Sequence, residues 1–182
     1  VSRPAVSEMV RRLERDGLLA IDSGRITLTG DGVVVAERVV RRHRIAERFL
    51  TDLLKLSWAE AHHEAGKWEH VISPRVERAL VGLLGDPTTC PHGNPIPGSG
   101  YEVPDASPLV SLAVGDSFVV ERIPEALEFT DGLLEFLEGV GMVPGRAGTV
   151  VAQSPDGTVT VDVGGSSIGI GSFAAERILV AH

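Results

Sequence analysis

His43, Glu47, His62, Glu69 and His70 are side chains of the types that hold a metal ion, and all fall within one stretch of the chain. His43 and Glu47 are four residues apart, which on a helix puts both on one face. His62, Glu69 and His70 stand at i, i+7 and i+8, again on one face. Imidazole and carboxylate without thiolate suit first-row ions such as manganese, iron, cobalt and zinc. Taken singly, His43 reads as a partly buried structural histidine, Glu47 as an exposed carboxylate or half of an intrahelical ion pair, and Glu69-His70 as a surface pair. Their co-occurrence on helices joined by a short loop is what favours a metal site. Gly66 falls inside the second stripe, and a mid-helix glycine costs about 1 kcal/mol relative to alanine. It marks either close helix packing or a place where a ligand approaches the backbone and the carbonyl serves as donor. His63 and Glu64 point away from the stripe and read as solvated. His92 sits among prolines and carries little weight. Cys90, between threonine and proline with no charge partner, shows no sign of reactivity.

Catalytic signatures are missing. The sequence has no His-Glu-x-x-His, His-x-His or phosphate-binding glycine loop. Glu69 beside a metal-bound water would suit a general base, so a metal-dependent hydrolase on the same cluster is the alternative reading. A third class, a constitutive DNA-architectural protein, would not need the ligand stripe.

The elements that must position these residues follow from periodicity. Ser2-Arg3-Pro4 reads as a helix start, with a hydroxyl N-cap and proline in the first turn. Val6, Met9, Val10 and Leu13 recur at helical spacing, and Gly17 fits the stop. Leu19-Ala20-Ile21, a turn at 22–25 and Ile26–Thr29 read as a hairpin. Helix then hairpin is the second half of a winged helix-turn-helix, and the sequence reads as one whose first half lies upstream. A long helix is expected from Asp31 to Leu56. Ser57-Trp58-Ala59-Glu60 is a capping box opening a helix over 58–70, and Ser73-Pro74 opens another through Leu84. Consecutive amphipathic helices make an all-α unit with a dimerisation surface. Prolines at 87, 91, 95, 97, 104 and 108 mark an irregular connector. Beyond it come a strand at 117–120, a helix from Pro124 to about Glu138, and short strands at 148–152, 158–163, 168–170 and 177–180, which suggest a small barrel. The divisions are thus 1–30, 31–86, 87–108 and 109–182, in a chain that is mainly α with small β parts.

Charge separates these parts. The total is −8, but residues 1–50 carry ten Arg against seven acids, net +3, and residues 51–182 carry seven basic residues against eighteen acids, net −11. Such asymmetry fits a nucleic-acid-binding end joined to an acidic partner domain. The first helix presents Ser2, Arg3, Pro4, Ser7, Glu8, Arg11, Arg12 and Arg15. Arg-rich helices are often merely solvated, but base edges are read from the N-terminal end of a recognition helix. Glu8 there would accept from cytosine N4, and Arg11, Arg12 and Arg25 would serve phosphates. No apolar run approaches a membrane span. The one cysteine excludes an internal disulfide framework and fits the reducing cytoplasm.

Ser2-Arg3-Pro4-Ala5-Val6-Ser7, Arg15-Asp16-Gly17-Leu18, His43-Arg44-Ile45-Ala46-Glu47-Arg48, Trp68-Glu69-His70-Val71 and Gly93-Asn94-Pro95-Ile96-Pro97-Gly98 resemble the diphtheria toxin repressor family of iron- and manganese-dependent bacterial repressors. Residues 110–182 look like its SH3-like domain. The resemblance implies a homodimer on a double-stranded DNA operator, with Mn2+ or Fe2+ at two sites per subunit. It implies an ancillary site of His43, Glu47 and His62, and a primary site with Glu69 and His70 whose further ligand comes from an N-terminal helix outside this sequence. It implies that Arg44 and Asn94 hold an anion near the ancillary metal, and that Glu128 and Asp131 lend carboxylates to it. Two departures stand out. Gly66 occupies the primary-site position that carries Cys in iron-responsive members and Glu in some manganese-responsive ones, and losing that sulfur favours manganese. Glu8 replaces a base-contacting Gln, so the operator is expected to differ. The reading is a metal-activated repressor controlling metal-homeostasis genes.

Overall fold

Pro4 sits in the first turn of α1 (Arg3–Arg15), where its missing N–H has no helical partner to lose. The structure, a computed structural model, describes residues 2–182. Ser2 holds the N-cap with extended backbone, but the capping bond expected of its hydroxyl is not made. No residue of α1 is buried, and its apolar Val6 and Met9 are 48% and 58% exposed. β1 (Leu19–Asp22) and β2 (Arg25–Leu28) pair antiparallel with Asp22 opposite Arg25. The central residues of the turn are therefore Ser23-Gly24, both at positive φ, which matches the twist of a tight hairpin. Residues 22–25 are thus the four residues of the turn, with Asp22 and Arg25 also paired as the last rung of the hairpin.

α2 (Gly30–Asp52) starts at Thr29, whose hydroxyl accepts from Gly32 N–H and donates to the Gly17 carbonyl at 2.6 Å. A Cβ at Gly32 would run into the Leu18 carbonyl, so glycine lets the end of α1 and the hairpin seat directly on α2. The helix stops at Asp52, short of the expected Leu56, and Lys55 at φ 61 turns the chain. α3 (Trp58–Trp68) has the capping box read from sequence: Ser57 Oγ accepts from Glu60 N–H, and Glu60 Oε2 accepts from Ser57 N–H at 3.0 Å. α4 (Pro74–Leu83) is capped by Ser73. α2 and α3 pack through Ala46 and Leu50 against Ala61 and Ala65, with Ile72 closing the cluster. Three alanines let the two backbones approach closely, so short polar side chains can meet across the seam.

The segment from 87 to 108 is irregular, as its prolines dictate, but it is no loose linker. Cys90, His92, Asn94 and Ile96 are buried, and Cys90 N–H donates to the Asn94 carbonyl. Gly93 has φ 82, and a Cβ there would strike the Glu121 carbonyl.

The barrel follows. β3 (Ser107–Pro108), β4 (Ser117–Arg122), α5 (Glu125–Glu128), α6 (Leu133–Gly139), β5 (Ala147–Gln153), β6 (Val159–Val163), β7 (Ser166–Ile170), α7 (Ser172–Ala175) and β8 (Leu179–Ala181) form an antiparallel sheet of order β3-β8-β4-β5-β6-β7 with small helices. The helix expected from Pro124 to Glu138 is broken in two, and Gly132 at φ 75 makes the break. β3 and α7 have no counterpart in the sequence reading. Phe118, Val120, Val159, Val161, Val163, Ile168 and Ile170 fill the interior at strand period. Trp58 of α3 belongs to the same core, and its N–H donates to Glu138 Oε2 at 3.0 Å, which fixes the start of α3 on the barrel. No helix among the described residues is long and apolar enough to cross a membrane.

Candidate metal centre

Residues 43, 46, 47 and 50 form one stripe of α2, so the alanine and leucine that pack against α3 carry His43 and Glu47 into the seam. His62 arrives from α3 beside Ala61. His43 Nε2 lies 3.1 Å from Glu47 Oε1 and 3.2 Å from His62 Nδ1, and His62 Nδ1 lies 2.9 Å from the same oxygen. Neighbouring ligands at right angles on an ion bound at about 2.1 Å stand about 3 Å apart, so this triangle has the edges of a coordination face. Glu47 is fully buried, and its Oε2 has no hydrogen-bond partner. An unclaimed buried carboxylate oxygen beside two imidazoles is a donor set that fits a divalent ion.

Without an ion, protons do the pairing. Burial opposes charge on His43, but hydrogen bonds and charges from Glu47 and Glu69 prevail and raise its pKa from 6.5 to about 9. The hydrogen bond from Glu47 raises His62 against its burial. Burial of Glu47 is likewise overcome by its two histidine partners, which hold its carboxyl far below the usual range.

A second donor group shares Glu47. His92 Nδ1 lies 3.7 Å from Glu47 Oε1 and 3.0 Å from Glu128 Oε1, and Cys90 Sγ lies 3.8 Å from the same nitrogen. Glu47, Cys90 and His92 are all buried. Two sequence readings are corrected here. Cys90 does have charged neighbours: burial first, then Glu47 and Glu128, push its thiol pKa up. His92 is a buried member of the site, with Trp58 packed edge-on at 4.7 Å. The available signal was two ligand types separated by one residue, Cys90-Pro91-His92, in a segment otherwise poor in them.

Glu128, at the end of α5, lies beside the cluster, with Oε2 3.4 Å from His62 Nδ1. Asp131 does not join it. It is exposed and lines a separate cavity with His62 and Glu128, because α5 ends at Glu128 and the helical i, i+3 spacing does not extend to it. Arg44 and Asn94 are engaged by carboxylates of the barrel rather than left free for an outside anion. Arg44 donates to the Pro95 carbonyl and to Glu125 Oε2 at 3.0 Å, and Asn94 donates to Glu128 Oε1 at 2.7 Å and to the Ile123 carbonyl.

Glu69 at the C-terminal end of α3 connects the two expected sites. Its Oε2 is 2.7 Å from His43 Nδ1, and its Oε1 is 3.2 Å from His70 Nε2. His70 is otherwise 67% exposed. Gly66 meets nothing within 4 Å of where a Cβ would stand, so close helix packing does not account for it. It opens instead on a cleft of about 400 Å3 lined by His43, His62, Glu69 and Phe129, with the exposed His63 at its edge. Ser2, Arg3, Pro4, Ser7, Glu8, Arg11, Arg12 and Arg25 are all exposed on α1 and the hairpin.

A recognition-type helix and wing, a helical pair bearing a nitrogen and oxygen donor cluster, and a small barrel closing on that cluster define a metal-responsive transcription regulator. Residues 29–98 match the domain family described as iron dependent repressor, metal binding and dimerisation domain, and residues 107–182 match the FeoA domain. The chain is 41% identical over 176 residues to the iron-dependent repressor IdeR of Mycobacterium bovis, covering 90% of this chain and 76% of that protein. It is 50% identical over 117 residues to the diphtheria toxin repressor of Corynebacterium diphtheriae, covering 64% of this chain and 47% of that protein. A solved manganese-dependent transcriptional repressor in complex with manganese superposes with a TM-score of 0.84 at 34% identity, over 100% of this chain and 85% of that one. The chain belongs to the diphtheria toxin repressor family of iron- and manganese-dependent transcriptional repressors. The family is not enzymatic, so the hydrolase reading is set aside.

Proposed function

We propose that this chain is the metal-sensing and operator-gripping part of a homodimeric repressor, active in the cytoplasm, that binds a palindromic operator when loaded with manganese or iron and controls metal-homeostasis genes. The observation that carries the reading is the Glu47 cluster, where donors from α2, α3, the connector and the barrel converge on one buried carboxylate. Bound there, a divalent ion supplies the charge that lets four separately held segments share one point. His43, Glu47 and His62 form the ancillary site, with Glu128 as the barrel's contribution. Glu69 and His70 belong to the primary site, and the Gly66 carbonyl faces the same cleft. Arg44 and Asn94 act as tethers for Glu125 and Glu128.

The chain's own residues link this centre to DNA. Thr29 ties α2 to Gly17, just past the end of α1, so the orientation of α2 sets that of the recognition helix. One short helix reads only a few base pairs, so specificity calls for two on a symmetric site. Leu53, Leu54, Val71, Val76 and Leu83 are exposed on the helical unit and supply apolar surface for pairing. Cys90 and His92 bring sulfur to the far side of Glu47, so the lack of sulfur at Gly66 no longer argues for manganese over iron. The test is selection of binding sites by the full-length protein with and without manganese or ferrous iron. A symmetric site recovered only with metal is expected, and an asymmetric site or equal binding without metal would refute the proposal.

A further inference from the structure

Proline has no N–H to offer, so a proline-rich segment is long on carbonyls and short of donors. The connector from 87 to 108 nevertheless buries Cys90, His92, Asn94 and Ile96, and its carbonyls must find donors elsewhere. Three donors come from one helix. Arg41 Nη1 donates to the Pro97 carbonyl at 2.7 Å, Arg44 Nη1 donates to that of Pro95, and Arg48 Nε donates to that of Thr89 at 2.9 Å. Arg41, Arg44 and Arg48 stand at i, i+3 and i+7 and share a face of α2. Their acceptors run in the opposite order, so the connector lies antiparallel along about 10 Å of the helix. Each guanidinium also meets a carboxylate: Arg41 that of Glu77 on α4 at 2.8 Å, Arg44 that of Glu125 on α5 at 3.0 Å, and Arg48 that of Asp52 at 3.4 Å. Among the described residues, neither apolar core contains a connector side chain. Trp58 is the one buried residue of the helical unit in the barrel core, and the other bonds across that seam are polar, as between domains that move relative to one another.

We infer that this arginine ladder is a clasp, and that the connector is a strap that it holds down on α2. When the clasp opens, residues 88–97 lift as a unit, withdrawing His92 from Glu47 and baring Cys90, while the helical unit and the barrel each stay folded. Local opening of that kind belongs to segments with few buried apolar contacts, and the strap contributes to neither core. The clasp is also sensitive to salt. Bonds from guanidinium to carbonyl and carboxylate weaken as charges are screened, whereas apolar burial does not depend on charge. Glu77 is held by Arg42 as well, at 3.1 Å, so α4 keeps its place when Arg41 lets go. The inference concerns the metal-free protein and stands apart from the metal-sensing reading.

Cys90, 1% exposed, reports whether the strap is down. Full-length, metal-stripped protein is treated with iodoacetamide at fixed pH, and alkylation of the Cys90 peptide is followed by mass spectrometry against a free cysteine peptide. Backbone hydrogen exchange in α3 and β6 is followed alongside. Arg41→Met with Arg48→Met keeps two long side chains and removes both guanidinium groups. Since each lost bond had a charged donor, Cys90 alkylation should rise about tenfold or more, with exchange in α3 and β6 at the parent rate. An unchanged alkylation rate would overturn the clasp. So would a rise matched by faster exchange in α3 or β6, because unfolding of a core rather than lifting of the strap would then bare the thiol. A measurement on the unaltered protein guards against a variant that misfolds. Raising sodium chloride from about 0.1 to about 1 M shortens the screening length from about 10 to about 3 Å, and should speed alkylation of the parent more than that of the double variant. A parent rate indifferent to chloride, or equal responses in both proteins, would place the catch outside the ladder and overturn the inference.

Discussion

Gly66→Ala probes the strangest residue of the centre. Gly66 lies within α3, has no positive φ, and meets nothing within 4 Å of a built Cβ. Steric cost is therefore absent, and the helix gains the propensity difference of about 1 kcal/mol. For a protein of this size that corresponds to a rise of about 2–4 °C in Tm. The expected result for metal-free, full-length protein in a calorimetric melt is a rise of that size, with manganese affinity changed less than about threefold, because a methyl group there touches no ligand. Gly66→Cys adds a sulfur to the cleft that holds His43 and Glu69, and should raise affinity for ferrous iron relative to manganese by about tenfold or more. An alanine variant that melts at or below the parent temperature would show that the space is filled in the folded protein. A cysteine variant with the parent's metal ratio would show that residue 66 does not set selectivity.

His43→Ala and His62→Ala should each lower metal affinity at the Glu47 cluster with the fold intact, whereas Glu69→Ala should weaken both sites because its carboxylate touches His43 and His70. Calorimetric titration giving the same stoichiometry and affinity for all three variants and the parent would refute the assignment. Metal affinity should climb with pH and level off above about 9, since His43, raised from 6.5 to about 9, must release a proton before Nε2 can bind. That proton's contribution to the metal-free fold is fully present below about 6.5 and lost as pH rises through about 9. A pH-independent affinity measured across this window would contradict the geometry. Gly93→Ala should lower stability by more than about 1 kcal/mol, because its positive φ and the Glu121 carbonyl both oppose a Cβ, and a denaturant melt unchanged from the parent would remove the close approach inferred there. Glu8→Gln should alter preference at one base pair per half-site and Arg11→Ala weaken all sequences alike, which site selection would distinguish.

The helical stripe of His43, Glu47, His62 and Glu69 was legible because the 3.6-residue repeat fixes which side chains share a face, and the capping box at Ser57 fixes where α3 starts. The connector was not. Cys90 and His92 have no regular repeat around them, and their burial depends on barrel residues such as Glu121, Ile123 and Glu128 that are distant in the chain. Spacing likewise placed Glu128 and Asp131 on one helix, but α5 ends at Glu128, so Asp131 lies beyond it and stays exposed. For Arg44 and Asn94, sequence reveals the donors and not their acceptors, which the fold supplies as Glu125 and Glu128. Gly66 was open to two explanations because a missing side chain leaves no pattern, and only the empty space around it decides.

The bond between Thr29 and Gly17 gives α2 the properties of a lever arm. From Thr29 to His43 the helix rises roughly 21 Å at 1.5 Å per residue, with no glycine or proline after Gly32 to absorb bending. A tilt of about 5° pivoting at His43 would displace the Thr29 end by about 2 Å, and α1 with it, since the Leu18 carbonyl rests on Gly32. In the proposed two-fold pair the displacements of the two arms would add. A small shift at the metal centre would thus alter the reach between the two proposed reading heads by a distance comparable to the rise of one base pair. Contact with one half-site would survive that error, and contact with both at once would not.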